Sequence, residues 1–208
     1  MIKMRKRFII YLFLIIFSLL PITSLADEEG IVPPENVIII KTPEQTEVGT
    51  PPEFQYKVIV PPTPEGKNLA LKKPIEANGY TQIYMPRYAN DGRITSYWEG
   101  KPNSYPNIIT VDLGSICTIH TIRIALNPAK IWVRRTQTLA VYISNDGVNY
   151  IELLPYSDYV FDPRMSNIVD IKLPNPIKTR YVRLIFIKNT GATGGQIGEL
   201  EIYGEEEQ

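Results

Sequence analysis

The sequence predicts an all-β domain, an antiparallel β-sandwich of jelly-roll type with about eight strands. First, Leu139, Val141 and Ile143 share one face of a stretch whose alternate residues are mostly polar, as in a half-buried strand. Second, the Asp-Gly pair in "SNDGVNY" (144–150) indicates a hairpin. Third, no stretch beyond the first thirty residues has helical periodicity, so helices should be few and short.

The candidate strands follow one another between Lys67 and Gly204 without βαβ alternation. The alternation of the first example recurs in "RYVRLIFI", where Val182, Leu184 and Phe186 share a face. In chain order the predicted strands are "PIEANG", "NIITVDLG", "HTIRIAL", "QTLAVYIS", "YIELLPY", "IVDIKLP", "RYVRLIFI" and "GELEIYG".

Residues 1–26 are predicted to be a signal peptide. A basic start precedes the apolar run Phe8–Leu20, and small residues place the expected cleavage after Ala26. The alternative is an uncleaved anchor over the eighteen residues Phe8–Leu25, although Pro21 shortens its apolar core. We therefore expect a secreted or cell-surface protein with no membrane span after cleavage.

Residues 27–66 are predicted to be a Pro-rich stalk, since they hold eight Pro in forty residues. Such segments favour extended geometry and act as semi-rigid spacers. The stalk also contains two short apolar runs, "NVIII" and "YKVIV", either of which could pair with a sheet edge or a partner strand. The domain is expected over 67–204, followed by an acidic tail over 205–208.

Charge and cysteine content narrow the function classes. Removing the four Lys and Arg residues of the signal leaves 18 basic against 22 acidic residues, a net charge near −4. Nothing in this balance favours nucleic acid or an anionic membrane as a partner. Cys117 is the sequence's one cysteine, so no intrachain disulfide can form, and it is predicted to be a small buried apolar residue. We expect a monomer.

Catalysis has little support in the sequence. His120 lies within a predicted strand, and no G-x-S-x-G motif provides a serine nucleophile. Glu199 and Glu201 share one strand face, and glycosidases use two carboxyl groups about 5–9 Å apart. Neighbouring strand positions meet that spacing by accident, so we predict that the domain is not an enzyme.

The stretch "RYANDGRITSYWEG" (87–100) is rich in oxygen donors. Asp91, Thr95 and Ser96 supply side-chain oxygens, and the turn at Gly92 can fold carbonyls inward. Calcium prefers six to eight oxygen ligands, yet this spacing alone does not distinguish a calcium site from a solvated turn. Trp98, at the end of the loop, is predicted to be a core residue.

Candidate sugar contacts lie in loops between strands. Sugar recognition needs an aromatic face and planar groups that hydrogen-bond hydroxyls. The loop "NPAKIWVRRTQT" offers Trp132 as a platform, although core packing is the alternative, and Arg135, which could instead bond carbonyls of its own loop. Further candidates are Asn127 and Arg134 in the same loop, Tyr84 near the stretch 87–100, and Asn189 in "KNTGATGGQIGE".

Seven motifs follow one another along the chain, in the order "NLALKKPIEANGY", "YANDGRITSYWEG", "IITVDLGS", "TIHTIRIAL", "RTQTLAVYISNDGVNYIEL", "RYVRLIFIKNTG" and "GELEIYG". Together they resemble the discoidin domain, also called the coagulation factor V/VIII type C domain, and within it the bacterial family 32 carbohydrate-binding modules. The resemblance covers about residues 67–204. It implies a galactose-binding-like jelly roll without catalytic activity, used for targeting or adhesion.

The resemblance also implies a structural calcium ion. Its ligands would be the carbonyl of Ala89, the side chain of Asp91, the carbonyl of Arg93, the hydroxyl and carbonyl of Ser96, and Glu199, with Glu201 as the alternative to Glu199. Many relatives have Asp where this chain has Arg93, and many have an aromatic residue where this chain has Ala192. The second departure removes one stacking surface from the sugar site.

Two functions follow from the sequence. The first is a secreted, calcium-stabilised, non-catalytic module that binds a glycan or polysaccharide through loops near Trp132 and Arg135. The second is a cell-surface or matrix adhesion protein of the same fold, whose partner is a protein. Loops change specificity without changing the strands, so the sequence does not name the sugar.

Overall fold

The computed structural model of the protein describes residues 57–129 and 131–207. The predicted signal peptide and residues 27–56 of the predicted stalk lie outside the described residues. Among the residues described, no helix has the length and apolar character needed to cross a membrane.

The described chain contains nine strands and two short 3-10 helices. β4 and β7 each join two of the strands predicted from sequence, and the other predicted strands are present. In chain order the elements are β1 (Lys67–Asn68), β2 (Ile75–Ala77), η1 (Pro86–Ala89), β3 (Trp98–Glu99), β4 (Asn107–Ala125), β5 (Arg135–Ser144), β6 (Ile151–Phe161), η2 (Pro163–Met165), β7 (Ile168–Asn189), β8 (Gln196–Ile197) and β9 (Glu199–Glu206).

The two long strands, β4 and β7, each run through both layers of the β-sandwich. Residues 107–112 of β4 pair with 181–186 of β7, and this half of β7 also pairs with β5, which pairs with β6. Residues 117–125 of β4 pair with β9 and with the first half of β7. Register shifts in β4 separate the two halves, and such irregularities bend strands. The predicted antiparallel β-sandwich is confirmed.

The core lies where the inward faces of the two layers meet. Val182, Leu184 and Phe186 are fully buried, as their alternation predicts. Trp98 is also fully buried, and its ring centre lies 5.8 Å from that of Phe186. Its indole Nε1 donates to the carbonyl of Gly79 at 3.2 Å, so the one polar group of the ring is satisfied. The prediction of Trp98 as a core residue is confirmed.

A hairpin joins β5 and β6, as the Asp-Gly pair predicts. Gly147 has φ +75°, a conformation that glycine adopts without steric cost. The Asp146 carboxylate accepts from the side chain and backbone N–H of Asn149 and from the backbone of Val148. These hydrogen bonds hold the pKa of Asp146 well below its usual range. The turn is therefore organised by its own side chains.

The end of the predicted stalk lies against the sandwich. The backbone N–H of Ile59 donates to the Arg164 carbonyl at 2.7 Å, and Ser166 Oγ donates to the Ile59 carbonyl at 3.0 Å. Further along, the buried Arg123 donates to the Pro62 carbonyl. Residues 59–62 therefore bind to the domain surface, ahead of the expected boundary at residue 67.

Candidate functional site

The loop predicted to bind calcium contacts the last strand, β9. Glu199, the first residue of β9, accepts hydrogen bonds through one carboxylate oxygen from the backbone N–H groups of Gly92 and Arg93, at 2.8 and 2.7 Å. Gly92 has φ +85°, which turns both N–H groups towards β9. This contact joins residues more than a hundred positions apart.

Within the loop, oxygen atoms converge on Asp91 and Ser96. Ser96 Oγ lies 2.8 Å from Asp91 Oδ2 and 2.8 Å from the carbonyl oxygen of Arg93. Asp91 Oδ1 accepts from the Arg93 N–H at 2.8 Å. Ala89 ends η1 and is fully buried, so its backbone enters the loop from the protein interior.

The electrostatics of this loop favour a cation. Glu199 is 5% exposed, and its burial, together with the adjacent Asp91, raises the pKa of Glu199 to about 7. Neither carboxylate forms an ion pair with a Lys or Arg of the described chain. A bound divalent ion would offset the desolvation of Glu199 and the repulsion between the two acids.

The number of acidic groups limits which ion fits. No group of three or more His, Cys, Asp or Glu side chains that could hold a metal occurs within the described residues. Carbonyl and hydroxyl oxygens would have to complete the shell, and calcium accepts these ligands. Glu201, the alternative ligand, accepts instead from the Tyr203 hydroxyl at 2.7 Å and pairs in register with Arg123. Glu199 is therefore the carboxylate that contacts the loop.

Four side chains from three segments of the chain form a cluster near the start of β5. The rings of Tyr84 and Tyr97 stack, with centres 4.2 Å apart and planes 22° apart. Tyr97 meets Trp132 edge-on at 4.7 Å. The guanidinium of Arg135 lies 4.8 Å from the centre of the Trp132 ring. We call these four residues the aromatic cluster, and Tyr97 is the member that the sequence did not single out.

Arg135 forms the floor of the cluster and is only 6% exposed. Its Nε donates to the carbonyl of Val133 at 3.1 Å, which is the local bond weighed from the sequence. Its Nη1 donates to Gln196 Oε1 at 2.6 Å, and Gln196 Nε2 donates to Glu99 Oε2 at 2.9 Å. Burial lowers the pKa of Arg135. Arg135 is thus linked to the carboxylate of Glu99 through the side-chain amide of Gln196.

Gln137 fixes the neighbouring loop. Its side chain is fully buried, accepts from the Gln196 N–H at 2.7 Å and donates to the Gln196 carbonyl at 2.9 Å. Asn189 donates to Gln137 Oε1 at 3.2 Å and to the Gly194 carbonyl at 2.8 Å. The amide of Asn189 is therefore occupied in shaping its loop. Alternation along β5 places Gln137 on the buried face, a signal present in the sequence.

Asn167 holds the loop that carries Trp132. It is fully buried, and its Nδ2 donates to the carbonyls of Asn127 and Trp132, both at 3.0 Å. Asn127 in turn accepts from the N–H of Ala129 through its side chain at 2.9 Å. Asn127, predicted as a ligand contact, thus stabilises its own loop, and no sequence motif marks Asn167.

Arg134 lies at the edge of the same loop. Its side chain is 62% exposed, and its Nε is 3.6 Å from Asp162 Oδ2. Arg164 binds the same oxygen at 2.7 Å. These partners, Arg164 first, lower the pKa of Asp162 to about 2. Arg134 is therefore the most accessible of the predicted contacts in this loop.

Comparison with protein families identifies the domain. The model of the F5/8 type C domain matches residues 74–200. The chain belongs to the F5/8 type C domain family. The resemblance to family 32 carbohydrate-binding modules is likewise confirmed by solved structures with the galactose-binding-like fold. A search of curated proteins found no match.

Solved structures similar to this F5/8 type C domain include carbohydrate-binding modules. Chitosan-binding module 1 of a chitosanase/glucanase from Paenibacillus sp. IK-5 is 25% identical, with a TM-score of 0.53 over 66% of this chain and 99% of that chain. A family 32 module from Clostridium perfringens, solved with GalNAc-β-1,3-galactose, is 20% identical, with a TM-score of 0.52 over 64% of this chain and 96% of that chain.

A longer enzyme also contains a similar region. A family 89 glycoside hydrolase from Clostridium perfringens is 26% identical, with a TM-score of 0.57 over 68% of this chain. The similarity covers 15% of the enzyme. The F5/8 type C domain therefore resembles a small part of that protein.

Proposed function

We propose that this F5/8 type C domain is a secreted, non-catalytic carbohydrate-binding module that binds a glycan through loops at one end of the sandwich. Family membership and the likeness to carbohydrate-binding modules support the class of function. The predicted leader and stalk support export and display.

The observation that carries the proposal is the aromatic cluster. Aromatic rings offer apolar faces and edges to the C–H side of a sugar, and a guanidinium donates to its hydroxyls. Arg135 is buried and supports the Trp132 ring, whereas the exposed Arg134 is the guanidinium of this loop that a sugar can reach. The buried amides of Gln137 and Asn167 hold the flanking loops, so the cluster is preorganised and little ordering entropy is lost on binding.

We propose further that calcium binds at the loop of Asp91 and Glu199 and stabilises the fold. The ligands would be the carbonyls of Ala89 and Arg93, the hydroxyl and carbonyl of Ser96, and the two carboxylates. An ion at this position links the loop to β9, and ligand binding to the native state alone adds to its stability. In this proposal the ion is structural and takes no part in recognition.

The test is a glycan array probed in calcium with the wild-type protein and Trp132→Ala. Tyr142→Ala is the control, because Tyr142 lies on β5 seven positions beyond Arg135, about 23 Å along the strand. Hits that Trp132→Ala abolishes and Tyr142→Ala retains support the proposal. Release of reducing sugar from any bound polysaccharide would overturn its non-catalytic part.

The second candidate function is adhesion to a protein. It is favoured by the exposed apolar run at the end of the stalk, where Val58, Ile59 and Val60 are 52, 51 and 71% exposed. Apolar patches on a surface mark interaction sites when they are contiguous. A silent glycan array, combined with binding to a surface protein that a Val58→Ser/Val60→Ser variant loses, would favour this function over the first.

A further inference from the structure

The end of the stalk binds the turn at residues 162–167, which follows β6. The backbone N–H of Ile59 donates to the carbonyl of Arg164 at 2.7 Å, and the hydroxyl of Ser166 donates to the carbonyl of Ile59 at 3.0 Å. Ile59 itself is 51% exposed, so its side chain contributes little to this contact. The stalk is therefore attached to the turn through its backbone, which uses the one donor and the one acceptor of a single residue.

The turn contains a strained stretch of backbone. Ser166 and Asn167 have φ +56° and +55°, and they are the only adjacent non-glycine residues with positive φ in the part of the chain that the structure describes. A residue with a Cβ is disfavoured in this left-handed region, although Asn is less so than Ser. Such strain persists only where the surrounding contacts hold it. The contacts of this left-handed pair therefore decide whether the turn keeps its shape.

The left-handed pair connects the stalk with the loop that carries Trp132. Within the turn, the N–H groups of Ser166 and Asn167 donate to the carbonyls of Pro163 and Asp162, at 3.1 and 2.9 Å. The hydroxyl of Ser166 binds the stalk. The side-chain amide of Asn167, which is fully buried, donates to the carbonyl of Trp132 at 3.0 Å. Two neighbouring side chains of one strained turn thus bind the stalk and the Trp132 loop.

We propose that Ile59 is a positioning residue for the glycan site, because its bonds to the turn stabilise the left-handed pair, which holds Trp132 in its binding conformation. This inference rests on the proposed carbohydrate-binding function and makes the end of the stalk a support of the binding site. Coupling between two binding events is reciprocal, so a bound glycan also strengthens the attachment of the stalk. Detaching the stalk from the turn weakens glycan binding without removing any group that contacts the sugar.

The experiment compares the full chain with Ile59→Pro, which removes the N–H that binds Arg164 in a segment that continues into Pro61 and Pro62. Val60→Pro is the control, because the N–H of Val60 makes no hydrogen bond to the described chain. Calorimetric titration with the best glycan of the array should show a loss of about 3- to 10-fold for Ile59→Pro, the effect of one hydrogen bond. The loss for Val60→Pro should stay below about twofold. Equal affinities of the two variants would overturn the inference and leave the proposed function intact.

Fluorescence quenching by iodide, measured without sugar, reports the position of the loop independently of binding. The chain has two tryptophans. Trp98 is fully buried and Trp132 is partly exposed, so the quenching reports on Trp132. Ile59→Pro should increase it and Val60→Pro should not; unchanged quenching in Ile59→Pro would count against the inference. Increased quenching in a chain that binds no glycan would uphold the positioning of the loop and overturn the proposed function.

A double-mutant cycle tests whether the stalk acts through the left-handed pair. Ser166→Gly removes the hydroxyl that binds Ile59 and also relieves the backbone strain, so the turn depends less on the stalk. Ile59→Pro should therefore cost less affinity in the Ser166→Gly protein than in the wild type. Lys72→Gly is the matched control, since Lys72 is an exposed residue with φ +56° in another loop, and it should leave the full loss. Additive losses from Ile59→Pro and Ser166→Gly would show that the stalk does not act through this pair.

Discussion

The side-chain amide of the buried Asn167 donates to the backbone carbonyl of Trp132 at 3.0 Å. The same nitrogen also binds the Asn127 carbonyl, so one residue holds both ends of the loop from Asn127 to Trp132. Asn167 has φ +55°, a left-handed conformation that Asn adopts more readily than most residues. Asn167 therefore fixes the loop through its side chain, and Asn also suits the left-handed backbone conformation at this position.

Replacing Asn167 with Gly should destabilise the fold and weaken glycan binding together. Gly tolerates the positive φ, so the expected loss of about 1–3 kcal/mol reports two partly buried carbonyls left without their donor. Chemical denaturation and calorimetric titration measure the two effects. Asn103→Gly is the control, because Asn103 has φ +51° and an exposed side chain. If both variants behave alike, the loop does not depend on the Asn167 amide.

Gln137→Leu should destabilise the protein by about 2–4 kcal/mol, because it leaves the buried N–H and carbonyl of Gln196 unpaired. Binding should also weaken, since Gln196 positions Arg135. Thr136→Val, at the preceding and partly exposed position, should have an effect within about 0.5 kcal/mol. Urea unfolding of the two variants gives the comparison, and equal midpoints would argue against the network.

Calcium should stabilise the protein more at pH 8 than at pH 5. The folded-state pKa of Glu199 is raised from 4.5 to about 7, so the metal-free protein loses stability as the pH rises from 4.5 through 7. Ion binding needs the deprotonated carboxylate and offsets this loss. Melting curves with calcium or EDTA at both pH values measure the difference. Asp91→Ala should remove the calcium effect and Glu201→Gln should keep it; identical curves with and without EDTA at pH 8 would count against the site.

A variant that begins at Lys67 should melt at a lower temperature than one that begins at Lys57. The shorter chain lacks the Pro62 carbonyl to which Arg123 donates and the Ile59 carbonyl to which Ser166 donates. A buried donor without its acceptor costs about 1–3 kcal/mol. Scanning calorimetry of the two chains tests this, and equal melting temperatures would show that the end of the stalk is only a spacer.

Much of the fold follows from local pattern. Period-two alternation and the Asp-Gly turn predicted the strands and the β5–β6 hairpin, because each depends on neighbouring residues. The same alternation applied to Arg135 and Gln137 places both on the buried face of β5 with Leu139. The role of Arg135 as the floor of the cluster could therefore have been predicted in part.

The rest of the site depends on contacts between distant segments. Tyr97 belongs to the cluster because it contacts Tyr84 and Trp132, which lie in other loops, and such contacts cannot be read from the local sequence. Asn167 is an unremarkable residue in sequence, and its two long-range hydrogen bonds exist only in the folded chain. Asn127 and Asn189 were predicted as sugar contacts because they lie in candidate binding loops. In the structure the side-chain oxygen of each accepts a hydrogen bond from the backbone of its own loop.

The central claim is that the aromatic cluster binds a glycan, and calorimetric titration of the best glycan from the array tests it most directly. Trp132→Ala should lower the affinity by about 30-fold or more, the loss expected when one stacked aromatic contact is removed from a site. Tyr142→Ala should bind as the wild type does, and circular dichroism should show all three proteins folded at the temperature of the titration, with Trp132→Ala melting lower because Trp132 also packs against the core. Wild-type affinity in a folded Trp132→Ala protein would contradict the account.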